Sequence, residues 1–305
     1  MVKKYYLSMM MGAMLAIGGA SVFTACTAYD DNPVKPTGIA IDETNFPDAA
    51  FRHCLLEYYD FGEDGILTDE EIKNTTTLDV SWYNIENLKG IEYFTALKEL
   101  DCQGNYITEL DLSKNTKLTY LDCAYNELTK LNISNCASLD TMLCYRNQLT
   151  ELDVSNNTAL IYLDCYNNKL SQLDVTKNTA LMQLDFENNL ISSIDLSKNI
   201  WLEELYCSGN KMTKLDVSVC ERLELLHCYN NKISGQNMDD LIGCLPQNDA
   251  PTFFDFAVVD YSAGVEKEGN VCTKAQVAAA KAKGWKALQW DADEYEWIDY
   301  PGSDN

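Results

Sequence analysis

The chain has 305 residues, 46% of them apolar, and a formal net charge of −24. That length and apolar content suffice for a packed core and exclude a globally disordered chain. The acidic balance excludes the basic footprint of a nucleic-acid binder and leaves partners that are neutral, cationic or metal-bridged.

Residues 1–25 start with "MVKK", continue as the Gly-punctuated apolar run "YYLSMMMGAMLAIGGASVF" and close on the "TA" that precedes Cys26. Positive start, apolar middle and small-residue end make a secretory signal rather than a spanning helix. The "FTAC" ending resembles the lipobox of bacterial lipoproteins, with Phe23 where that family usually has leucine. The resemblance implies a lipid on Cys26. It also implies a Gram-negative outer-membrane address, with the acidic pair Asp30–Asp31 resembling the signal for the outer leaflet. A plain cleaved signal with a free cysteine nearby is the alternative. Residues 26–40, polar and Pro-containing, read as a flexible tether.

Residues 41–76 read as a helical N-terminal cap. Phe51, Cys54, Leu55 and Tyr58 follow helical spacing after Pro47-Asp48. The next stretch, "DFGEDGILTDEE", resembles an EF-hand calcium loop, with Asp60 first, Asp64 fifth, Gly65 sixth, Thr68 ninth and Glu71 twelfth. The resemblance implies calcium ligands at Asp60, Asp64, Thr68 and Glu71 and at the carbonyl of Ile66. Gly62 occupies the third position and removes one oxygen ligand, so weak calcium binding or a metal-free cap is expected. The loop stands alone, whereas EF-hands usually pair.

From 77 to 235 the chain repeats every 21 residues. Leu97, Leu118, Leu139, Leu160, Leu181, Leu202 and Leu223 keep this spacing, and so do Asn105, Asn126, Asn147, Asn168, Asn189, Asn210 and Asn231. The unit L-x-x-L-x-C-x-x-N-x-L resembles the leucine-rich repeat, closest to internalin-like bacterial surface versions. The resemblance implies a right-handed α/β solenoid with a parallel concave sheet, in which one coil covers the apolar face of the next. Strand alternation points Leu163 and Cys165 inward and Tyr162, Asp164 and Tyr166 outward. Each repeating Asn suits a bend where its amide bonds backbone groups, and Asn115, Asn157, Asn178 and Asn199 form a second polar column.

Six of the twelve cysteines occupy one repeat position: Cys102, Cys123, Cys144, Cys165, Cys207 and Cys228, with Phe186 in the remaining slot. A thiol is a small apolar group that suits a narrow interior. Neighbouring strands about 4.8 Å apart lie within bridging range for Cα atoms, but in-register Cβ atoms stay farther apart than the ~3.8 Å a disulfide prefers. Reduced core thiols are therefore the first reading, with bridges as the alternative and a metal site, for which no Cys-x-x-Cys pairing speaks, as the distant one.

Residues 236–290 read as an α/β C-terminal cap with a helix over "GQNMDDLIGCLP", a strand over "TFFDFAVVD", a Thr-capped helix over "TKAQVAAAKAKGW" and a final strand at "KALQW". Cys244 and Cys272 are a candidate bridge there. Residues 291–305 read as a loose acidic tail.

Catalytic motifs are sparse. There is no G-x-S-x-G and no phosphate-binding glycine motif, and the only histidines are His53 and His227. Asp101 with Asp122, and Asp164 with Asp185, fall at outward positions of neighbouring strands, roughly the ~5 Å carboxyl separation of a retaining glycosidase. A repeated open face predicts near-identical environments for such a pair, which a glycosidase cannot use. The outward positions instead suggest a binding face: Tyr120, Asp122, Tyr145, Arg146, Tyr162, Asp164, Tyr166, Asp185, Tyr206, His227 and Tyr229. Tyrosine gives large contact area at little rotamer cost. The expectation is a non-enzymatic cell-surface protein that binds an extracellular protein through this face. Glycan binding in nutrient capture is the alternative, a glycosidase the distant one, and the only membrane contact expected is the lipid anchor.

Overall fold

A computed structural model describes residues 37–249, 251–262 and 268–304 of the chain. The signal segment and Cys26 lie outside the described residues. None of the described helices is long and apolar enough to cross a membrane.

Asp48 starts the first helix, Ala49–Tyr58, by accepting a hydrogen bond from the Phe51 N–H. Its second oxygen accepts from the backbone of Glu86 and Asn87 at 2.8 and 3.1 Å, which ties the cap to the first coil. The short helix Asp69–Asn74 begins in a capping box of Thr68 and Glu71. The expected tether gives up its last residues to structure: Gly38–Ala40 is a strand, paired antiparallel with Ile66–Thr68. Those backbone bonds fall on the part of the calcium-type loop that a second EF-hand loop would otherwise meet, and they give the lone loop its partner strand.

The repeats form a solenoid around one parallel sheet. Its strands start at Thr77, Glu99, Tyr120, Thr141, Tyr162, Gln183, Glu204 and Leu225, each three residues long and in register with its neighbours. Register is fixed by the inward column of Leu78, Leu100, Leu121, Met142, Leu163, Leu184, Leu205 and Leu226, all fully buried. The cysteine column is equally buried, every described cysteine is free, and burial pushes these thiols well above their usual pKa. Cys165 and Cys207 direct Sγ toward the Asp185 and His227 carbonyls on the next coil, at 3.3 and 3.2 Å. Cys244 and Cys272 are not bridged.

The asparagine ladder uses both ends of each amide. Asn168 donates to the Cys144 and Cys165 carbonyls and accepts from the Leu149 N–H, so one side chain joins successive coils. In the second column Asn157 donates to the Ile133 and Cys136 carbonyls, and its Oδ1 is buried with no partner. The residue before each ladder Asn takes a left-handed backbone: Gly104, Tyr125, Arg146, Asn167, Asn188, Gly209 and Asn230.

The C-terminal cap departs from the expected layout in two ways. The regular spacing stops at Asn231, yet the ladder continues through Asn270, which accepts from the Ile233 N–H and donates to the Cys228 and Val258 carbonyls. A longer insert, holding helix Gln236–Cys244 and strand Phe254–Val259, completes that coil. The second departure is the acidic tail. After helix Lys274–Ala282, strand Trp285–Asp291 turns back into strand Glu296–Asp299, and the two pair antiparallel. This makes the main sheet 11-stranded, with Tyr300 buried behind it. Apolar Trp297, Ile298 and Tyr300 supply the packing that the surrounding acids conceal in the sequence.

Candidate binding face

Three outward columns cross the sheet, because each strand alternates faces and neighbours are in register. The middle column runs Asp101, Asp122, Leu143, Asp164, Asp185, Tyr206 and His227. To one side Tyr120, Thr141, Tyr162, Gln183 and Glu204 stand in line. Tyr145 and Tyr166 flank the middle column on the other side, past the cysteines.

Asp101, Asp164 and Asp185 are half-buried in this column, and Asp122 is buried. Asp122 is only 4% exposed, and burial, with the charges of Asp101 and Asp164 adding, pushes its pKa to about 7. Its Oδ1 accepts from the Ala124 N–H at 3.0 Å. Burial also raises Asp101, Asp164, Asp185 and Glu187. None of these five takes part in the ion pairs among the described residues. The expectation of near-identical environments therefore fails at the first pair, since Asp122 is buried more deeply than Asp101. A groove on the described residues lies away from this pair, over Leu110, Leu131, Leu152 and Leu173 and the polar residues beside them.

Along one edge of the face runs an aromatic ladder. Ring centroids are 6.0 Å apart between Trp82 and Tyr125, 5.3 Å between Tyr125 and Tyr145, and 6.4 Å between Tyr145 and Tyr166. Arg146 lies over two of these rings, 5.1 Å from the Tyr125 centroid and 5.6 Å from that of Tyr166. Gly104 allows the Trp82 indole to lie across the intervening coil, because a Cβ there would meet the ring at 2.3 Å. Trp82, Tyr125 and Arg146 all hold positive φ, the region that suits the Gly or Asn found on the other coils.

Of the expected residues, Tyr120, Asp122, Tyr145, Tyr162, Asp164, Tyr166 and Asp185 share the central band. Arg146 sits at its edge on the ladder. Tyr206, His227 and Tyr229 continue the face from Asp185 toward the C-terminal end, where they join a second aromatic cluster. There the Trp297 ring packs 5.1 Å from His227, 5.2 Å from Tyr229 and 5.3 Å from Trp290. Burial lowers His227 to a pKa of about 4, so it is neutral at pH 7. Trp82, Tyr125, Trp290 and Trp297 were not among the expected site residues. The first two were readable as bulky residues in the column that otherwise favours Gly and Asn. The tryptophans of the tail carried no repeat signal.

The calcium-type loop is folded around its own amides. Asp60 accepts from the Asp64 and Gly65 N–H groups, and Asp64 from Ile66. Glu71 accepts from Gly62 through Oε1 and from the Thr68 backbone and hydroxyl through Oε2. Burial acts to raise the Glu71 carboxyl, and these bonds outweigh it and hold its pKa below the ordinary value. Among the described residues no three acidic, histidine or cysteine side chains converge as a metal cluster. The loop has the ligand types for calcium, but Glu71 must release the Gly62 amide to chelate an ion.

No family model matches the chain. A segment of 71 residues, 23% of the chain, is 38% identical to internalin J of Listeria monocytogenes serotype 4b, and spans only 8% of that protein's length. The solved functional domain of InlJ from Listeria monocytogenes, described as including a cysteine ladder, superposes with a TM-score of 0.59 at 31% identity. That match covers 81% of this chain and 56% of the InlJ domain. The internalin InlF of Listeria monocytogenes shares the fold, with a TM-score of 0.57 at 24% identity over 83% of this chain and 78% of its own.

Proposed function

We propose that this internalin-like leucine-rich repeat protein is a non-enzymatic binding protein that holds an extracellular protein on its concave face. The observation that carries the reading is Arg146 stacked between Tyr125 and Tyr166. Aromatic residues and Arg are the types enriched at protein interfaces. Here Tyr125 and Arg146 stand on the surface at backbone positions where Asn or Gly costs less. Concave solenoid faces commonly serve as extended binding surfaces.

The chain is anchored through a lipid on Cys26 to a Gram-negative outer membrane, facing outward, and touches the membrane in no other way. The loop 60–71 takes calcium weakly. A glycan ligand is the second reading, favoured by the Trp290–Trp297–Tyr229 cluster, whose rings could stack on a sugar.

The test immobilises the full chain over arrays of extracellular proteins and of glycans. The expected outcome is protein binding that is lost in the Tyr125→Asn/Tyr145→Ala/Tyr162→Ala variant while its melting curve stays cooperative. Protein binding untouched by that folded variant, or binding to glycans alone, overturns the reading.

A further inference from the structure

Leu143 is the one apolar side chain in a middle column otherwise acidic from Asp101 to Asp185. It is half-buried, and its in-register neighbours are Asp122 on one side and Asp164 on the other. Tyr120 and Tyr162 stand diagonally across from it, and Tyr145 lies two residues further along the chain, just past the strand. The three phenols sense the same charges: burial raises each of them first, and Asp122 or Asp164 raises each further.

Asp122 makes this more than an acidic surface. It is more than nine-tenths buried, and its one hydrogen bond reaches Oδ1 from Ala124. Its Oδ2 takes no hydrogen bond among the described residues, and Asp122 stands at an outward position of the sheet, in register with Asp101 and Leu143. A desolvated carboxylate without a cation is costly, and side chains in that state are normally paired. Arg146, at the edge of the face, is engaged with Tyr125 and Tyr166.

We propose that Leu143, between Asp122 and Asp164, is a seat for one Lys or Arg side chain presented by the protein partner. This rests on the concave face being the binding surface and goes beyond it by naming the chemistry recognised. The aliphatic stem of such a side chain packs on Leu143 and the tyrosine rim while its head reaches the flanking carboxylates. The net acidity of the chain draws a basic partner to the face.

The test titrates the full chain with the N-acetyl, N-methylamide forms of lysine and arginine, and with those of norleucine and citrulline as uncharged counterparts. The Leu143 methyl resonances are followed by NMR. Saturable shifts are expected from the cationic probes, with affinity at least about tenfold above the neutral ones. The Asp122→Asn/Asp164→Asn variant should remove the difference. Equal binding of lysine and norleucine probes, or no saturable shift from any of them, overturns the seat. The wider reading is scored apart from this. A protein hit that is lost in the tyrosine variant, together with probes that do not discriminate, leaves the face standing and removes only the seat.

Discussion

The guanidinium of Arg146 lies 5.1 Å from the centre of the Tyr125 ring, and both residues hold left-handed φ, +54° and +52°. They face each other from adjacent coils, at a position that Asn fills at 167 and 188. A non-Gly residue there costs on the order of 1 kcal/mol, less for Asn. The cation–π contact at an exposed site returns about 0.5–1 kcal/mol.

Those opposing terms give the first prediction. Tyr125→Asn and Arg146→Asn should each leave the urea midpoint unchanged or slightly higher, because relief of backbone strain offsets the lost stacking. Partner binding should fall by ~2 kcal/mol, the size of an aromatic or Arg anchor at an interface. Clear destabilisation by either change would show that the ladder serves the fold.

The second prediction concerns pH. Asp122 has its pKa raised to about 7 by burial, and its facing groups are Asp101, Asp164, Tyr120 and Tyr145. A raised carboxyl favours the fold fully below the unfolded value of about 4 and loses that contribution as pH rises through its folded value. Stability should therefore fall from about pH 4 to about pH 7, which leaves it lower at pH 8 than at pH 5. Asp122→Asn should flatten part of that slope and stabilise the chain at pH 8 by at least about 1 kcal/mol. Capture of a cationic side chain should run the opposite way and strengthen as pH rises, since it needs the ionised form. Urea melts and probe titrations at both pH values separate the two trends.

The third prediction addresses the tail. Trp297 bridges His227, Tyr229 and Trp290 from a strand at the sheet's end. Trp297→Ala should destabilise by about 2 kcal/mol, below the range for a fully buried Trp because the side chain is only half-buried. It should also raise amide exchange in 285–299 ahead of the repeats. Equal protection of both regions in the variant would return 291–305 to a dispensable extension.

How much was legible follows from what repetition can encode. The 21-residue spacing made the sheet, its register, the buried cysteines and the asparagine ladder readable, because each coil solves the same packing problem as the last. Asn270 solves that problem too, but 39 residues after Asn231, so spacing alone could not reveal it. Trp297 was hidden by composition: Asp and Glu surround it, and strand pairing with Trp290 depends on contacts remote from the repeat. The unequal burial of Asp101 and Asp122 is a difference between two coils that carry the same residue at the same repeat position, so the repeat pattern could not show it. Gly38–Ala40 pairs with Ile66–Thr68 across the whole first helix, beyond the reach of local pattern.

The last prediction returns to the loop at 60–71. Glu71 holds both the Gly62 amide and the Thr68 cap, so calcium must replace the bond to Gly62 while the capping box persists. Lack of an oxygen at Gly62 and this competition place the affinity at about 10⁻⁴–10⁻³ M or weaker, the range of extracellular calcium sites. The strand pairing of Ile39 with Leu67 already orders the loop, so chelators should not unfold the cap. Calorimetry should register weak binding that disappears in Asp64→Asn/Glu71→Gln, a variant whose new side-chain amide can still close the capping box. If chelation lowers the melting temperature of the purified chain, the loop is a tight structural site. If heat of binding survives the double change, the ions sit elsewhere, and the unpaired carboxylates around Asp164 and Asp185 become the place to find them.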